Sequence, residues 1–154
     1  MVIFESGLIF RDQNILKSDY IQKSAIEIYQ VIRNELVVSL LNLVEEAFLT
    51  DFIDYLGGKK YIIAFIEDKI IAKDTNEPEL LIAYCIVDNK KKIDKYIKKV
   101  AVPLLRKTIE QFKMQFKFVN MSDLSQLNSF KKDIDDILGD ETKTIDQKLR
   151  DQLF

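Results

Sequence analysis

The first apolar residues come in unbroken triplets, Val2-Ile3-Phe4 and Leu8-Ile9-Phe10, with Glu5-Ser6-Gly7 between them. Consecutive rather than alternating apolar positions predict two short strands covered on both faces, turning at Ser6-Gly7 and ending at Asp12-Gln13-Asn14. From Ser18 or Asp19 the spacing changes to steps of three and four: Ala25, Ile28, Tyr29, Ile32, Leu36, Leu40, Leu43, Val44, Ala47 and Phe48. That period predicts a helix with one apolar stripe. Val37, Val38 and Leu41 widen the stripe until most of the circumference is apolar, so the helix needs cover on more than one side. Asn34 leaves open whether the stretch is one helix or two.

Three more apolar runs follow, at 51–56, 61–71 and 80–87. The first either continues the helical steps, with Gly57 as its cap, or forms a strand that turns at Gly57-Gly58 into the second. The need of residues 61–67 for a neighbour favours the hairpin. Asp68-Lys69 reads as a turn or bulge, with Ile70-Ile71-Ala72 extending the sheet. Residues 73–79 (KDTNEPE) read as a polar loop, with Pro78 at the edge of the next strand. Residues 80–87 carry no charge, the profile of an inner strand with Cys85 buried inside it.

Asp88 or Asn89 can cap a second helix. Its apolar residues Ile93, Tyr96, Ile97, Val100 and Leu104 keep one phase, and Leu105, Ile109, Phe112 and Phe116 continue one residue out of it. Pro103 stands at the change, which predicts a kink or restart. Past Phe118, residues 122–138 and 142–153 predict two weaker, acidic amphipathic helices. They are separated by Gly139-Asp140 and packed on the outside of the domain.

Composition narrows the function more than it defines it. A chain of 154 residues suits one domain, and 47% apolar with 31% charged residues describes an ordinary core. There is no histidine and one cysteine, which excludes histidine-based catalysis, a structural zinc site and an internal disulfide. Neither GxxxxGK[ST] nor GxGxxG occurs. The carboxylate clusters at Glu45-Glu46, Asp133/Asp135/Asp136 and Asp140-Glu141 lack calcium-loop spacing and read as solvated surface. No enzyme activity, cofactor or metal is expected. A net charge of −2 and only four arginines argue against a nucleic-acid partner. Lys90–Lys92 and Lys98-Lys99 are diluted by Asp88 and Asp94, so any membrane contact is expected to be indirect. The lone cysteine, with no visible signal segment or membrane span, predicts a cytoplasmic protein.

The order of hairpin, helix, three-stranded meander and returning helix resembles the longin fold, in the style of archaeal longin-like proteins of the roadblock/longin superfamily. The resemblance is carried by residues 2–10 (VIFESGLIF), 35–48 (ELVVSLLNLVEEAF) and 80–88 (LLIAYCIVD). It implies an α+β protein: an α-β-α sandwich on a five-stranded antiparallel sheet over residues 1–118, with a C-terminal helical extension at 119–154. It also implies a non-catalytic scaffold whose partner is a small GTPase or a trafficking-complex subunit, with a homodimer as a further possibility. The docking groove beside the first helix and third strand of such domains corresponds to Leu41, Val44, Phe48, Phe52 and Leu56. The tail stripe Leu124, Leu127, Phe130, Ile134 and Ile137 is a candidate to fill that groove in cis. The alternative is a profilin-like or PAS-like sensor of a small ligand, which would need polar groups on core-facing sheet positions.

Overall fold

A computed structural model of the chain describes residues 1–21, 26–45 and 55–153. The fold is mixed α/β, with helices on both faces of an open six-stranded sheet. Strands β1 (Ile3–Phe10) and β2 (Gln13–Asp19) form the opening hairpin. Helix α1 (Ile26–Glu45) follows, then β3 (Tyr55–Gly57), β4 (Tyr61–Ala72) and β5 (Glu77–Asp88). The sheet order is β2-β1-β5-β4-β3, with neighbours antiparallel. A two-residue strand β6 (Phe118–Val119) pairs parallel to the end of β4, so the sheet is mixed rather than the expected five antiparallel strands.

Both hairpin expectations are corrected in detail. Residues 3–10 are one strand, and the turn lies at Arg11-Asp12, both left-handed at φ 52° and 60°, which suits a tight hairpin. The Arg11 guanidinium then forks onto Asp74 (2.6 and 2.7 Å) and Glu79 (2.8 and 2.5 Å), joining this turn to the β4–β5 turn. The residues from Ser18 continue β2 rather than opening a helix. In the second hairpin β3 meets β4, as the hairpin reading expects for Tyr55 and Leu56, but Gly57, expected in the loop, is paired with Ile62 inside β3, and neither Gly57 nor Gly58 has a positive φ; residues 51–54 lie outside the described residues. Asp68-Lys69 is no turn. The ladder to β5 runs unbroken from Tyr61 to Ala72, with Glu67, Asp68 and Lys69 exposed. Among the described residues, β3 pairs with the start of β4's outer edge and β6 with its end. Charges on the stretch between discourage edge-to-edge pairing.

Strand β5 is central, hydrogen-bonded to β1 and β4, and Leu81–Val87 are buried. Pro78 falls before the β1 pairing begins at Leu81, so its missing N–H costs no bond to β1. Cys85 is fully buried, and burial pushes its thiol pKa up to about 12. Thiol-reactive probes are therefore expected to leave Cys85 unmodified in native buffer and to label it on denaturation. Rapid stoichiometric labelling without denaturant would contradict its placement.

One sheet face carries α1. Tyr29, Leu36 and Leu40 are buried against Ile9, Ile63, Phe65, Ile82, Tyr84 and Ile86. The helix is continuous through Asn34, and Ile28, expected on the buried stripe, is instead 66% exposed. The other face carries α2 (Ile93–Tyr96), a π-helical turn at Ile97–Ala101, and α3 (Val102–Gln115). The wider turn holds one residue more than an α-turn, which accounts for the phase change in the apolar pattern. It also places Pro103 in the first turn of α3, where a missing N–H is tolerated. Helix α4 (Phe130–Leu138) and α5 (Ile145–Leu153) complete the chain, with Gly139 (φ 53°) ending α4.

The tail stripe does not fill a groove beside α1. Leu127, Phe130, Ile134 and Leu138 join the core beneath α3, on the opposite face. The phenyl ring of Phe130 meets Phe112 edge-on at 5.3 Å, and Tyr20 donates to Asp135 at 2.5 Å.

Candidate functional site

Helix α1 is held to the sheet by a buried polar cluster that two β-bulges flank. Between Ile3 and Glu5 the β1–β5 register slips by one residue. Phe4 packs on the α1 face, and Glu5 also reaches α1 through Tyr29 and Arg33. Between Leu8 and Ile9 the β1–β2 register slips as well, so Ile9 faces Asn14. The Asn14 amide donates to the carbonyls of Leu8 (3.1 Å) and Leu16 (2.9 Å), satisfying backbone groups at the bulge.

Glu5 is fully buried. Its Oε1 accepts from the Tyr29 hydroxyl at 2.8 Å, and its Oε2 from the Tyr84 hydroxyl at 2.5 Å. Arg33 Nε lies 3.2 and 3.1 Å from the two oxygens. Arg33 Nη2 donates to Asn14 Oδ1, which is 3.0 Å from the Tyr84 hydroxyl. Burial, then the adjacent Glu5 charge, pushes the pKa of both tyrosines far above 10, so they remain donors. Desolvation pulls Arg33 down, but Glu5 and Tyr84 outweigh it, and the guanidinium is held above its usual value. Gly7 makes room for the arrangement. A Cβ there would lie 2.3 Å from the Leu16 carbonyl and 2.8 Å from the Tyr84 hydroxyl.

These contacts fix α1 in orientation and present its outer surface. Along that surface Ile28 (66% exposed), Val31 (62%) and Val38 (56%) follow helical spacing. Of the sequence-predicted docking residues, Leu41, Val44 and Leu56 are half-buried and pack on the α1-face core. Val44 lines a small pocket of about 130 Å³ with Ile9, Leu80 and Ile82 near the Arg11 turn, whereas Leu56 lies opposite Ile63 at the β3 edge. Phe48 and Phe52 lie outside the described residues. The outward apolar positions Ile28, Val31 and Val38 were missed as surface because an all-round apolar helix gives no phase by which to tell its inner side from its outer. The Glu5 cluster was missed too: an isolated acid between apolar triplets mimics a turn.

Among the described residues, no group of His, Cys, Asp or Glu side chains converges in a way that could hold a metal ion, and no helix is long and apolar enough to cross a membrane. No protein-family model matches the chain, and neither a curated protein nor a solved structure matches it.

Proposed function

We propose that the chain is a non-catalytic protein-interaction module of longin type, which docks a small GTPase or a trafficking-complex subunit through α1. One observation carries this reading. The face under α3 is closed by a second helical layer from α4, whereas among the described residues no tail residue joins the core under α1, and Ile28, Val31 and Val38 are exposed. A row of exposed apolar side chains on a rigidly clamped helix suits a helix- or strand-bearing partner. The order of hairpin, helix, meander and returning helix, with helices on both sheet faces, supports the same reading.

The small-ligand sensor would use polar groups on core-facing sheet positions, and Glu5, Asn14 and Tyr84 are such groups. They hydrogen-bond one another and Arg33 and Tyr29, so these three side chains are engaged within the protein rather than aimed at a ligand. The interaction reading is tested by interferometry against small GTPases of the source organism, loaded with GDP or a GTP analogue. Saturable binding that falls at least roughly tenfold in a Val31→Asp variant is expected, as for loss of an interface anchor. Binding unaffected by Val31→Asp, or none across the panel, would reject this docking mode.

A further inference from the structure

We propose that the end of the sheet where the β3–β4 loop meets the β5–α2 connection is a docking surface for an anionic lipid bilayer. The two segments are far apart in sequence but clipped together by Asn89. Its backbone N–H donates to the Lys60 carbonyl at 2.8 Å, and its side-chain amide donates to the Gly58 carbonyl at 2.7 Å. Lys59 and Lys60 are thereby added to the run Lys90–Lys92, and all five are exposed. Lys92, left-handed at φ 66°, then turns the chain into α2. Lys91, Lys92, Lys95 and Lys99 line one groove of about 360 Å³ whose remaining walls are Met1, Tyr96 and Val100.

The acids that dilute this run in the sequence each accept a hydrogen bond from outside it. Asp88 accepts from the Val2 N–H at 2.8 Å and is 15% exposed, and Asp94 accepts from the Tyr55 hydroxyl. Glu141 accepts from the Tyr96 hydroxyl at 2.9 Å. Lys90 lies 4.0 Å from Asp88; none of the lysines lining the groove is within ion-pair distance of a carboxylate among the described residues. On a chain of net charge −2 this is a segregated positive end, which would orient the molecule toward an anionic plane. The proposal is of direct contact, where the sequence reading expects an indirect one.

The chemistry favours lipid over an acidic peptide. The cations are all lysines, compact charges on flexible stems that suit mobile headgroups, and no arginine fork is present to fix a carboxylate in register. Lysine stems and the Tyr96 ring can settle at the headgroup boundary around the apolar floor.

Co-sedimentation of the whole chain with vesicles tests this. Vesicles of equimolar phosphatidylcholine and phosphatidylglycerol should retain the protein, phosphatidylcholine alone should not, and added salt should release it. Each lysine near such a surface strengthens binding about fivefold, so the triple variant Lys91→Glu/Lys95→Glu/Lys99→Glu should bind on the order of 100-fold more weakly. The matching triple arginine variant should bind like the parent. Lys59→Glu/Lys60→Glu, on the other loop, should lower binding independently and guards against a folding defect in the triple variant. Equal retention by neutral vesicles, indifference to both charge reversals, or binding to soluble polyglutamate with none to vesicles would overturn the proposal.

Discussion

Replacing Glu5 by alanine is expected to destabilise the protein by about 3–5 kcal/mol, because it strands Arg33 as a half-buried cation and removes the acceptor of two buried tyrosine hydroxyls. The carboxylate is fully buried and three side chains converge on it, so water cannot readily take its place. Urea denaturation followed by circular dichroism measures the loss. The double variant Glu5→Leu/Arg33→Met should recover much of it, since an apolar pair of similar volume removes both buried charges together. A Glu5→Ala loss below about 1 kcal/mol would mean that the cluster does not clamp α1, since surface pairs alone reach that range. The docking reading would then lose its rigid platform.

Phe130→Ala is expected to cost a comparable ~3–5 kcal/mol. Phe130 is fully buried, packs edge-on against Phe112, and stands 6.3 Å from Phe116. In a chain of this length such a loss lowers the melting temperature by on the order of 10 °C. A calorimetric scan would show a single transition shifted down as a whole if the tail shares the α3-face core. A small shift, or a separate early transition, would instead describe residues 119–153 as an appendage that unfolds by itself.

The apolar period exposed the parts of this fold that depend on burial and hid the parts that depend on backbone detail. Residues 80–87 read as an inner strand because eight uncharged residues have no other inexpensive place, and the structure puts β5 at the centre. The one-residue phase slip near Pro103 was visible in the spacing, and the π-helical turn is its physical form. Turn placement was less legible. Ser6-Gly7 carries turn chemistry yet lies inside β1, where glycine serves the close approach of Tyr84 and the Leu16 carbonyl. Arg11-Asp12 makes the turn without glycine, helped by the Arg11 bonds to Asp74 and Glu79, which no local rule anticipates. The polar side of the candidate site was illegible for the same reason. Asn14 reaches the α1 face only through a bulge, which shifts side-chain parity by one without leaving a mark on composition, and Glu5 keeps the alternation of Gly7 and Ile9 on a strand that the apparent turn at Ser6-Gly7 hid. Which face the tail would cover was also hidden, since its amphipathic stripe fits either side of a two-faced sheet.

The π-helical turn at Ile97–Ala101 makes the aim of the lysine-rich end sensitive to chain length. Deleting one residue there would restore an ordinary α-helical ladder and rotate everything before it by roughly 100° relative to α3. Ile97 would leave the core, and Lys92 and Lys95 would swing away from Lys59 and Lys60. A substitution at any one of these lysines leaves the others in place, whereas a single-codon loss in the turn would scatter them while changing the net charge by at most one. Insertions and deletions in this short stretch, more than replacements, are therefore the genetic changes to which that end of the molecule is most exposed.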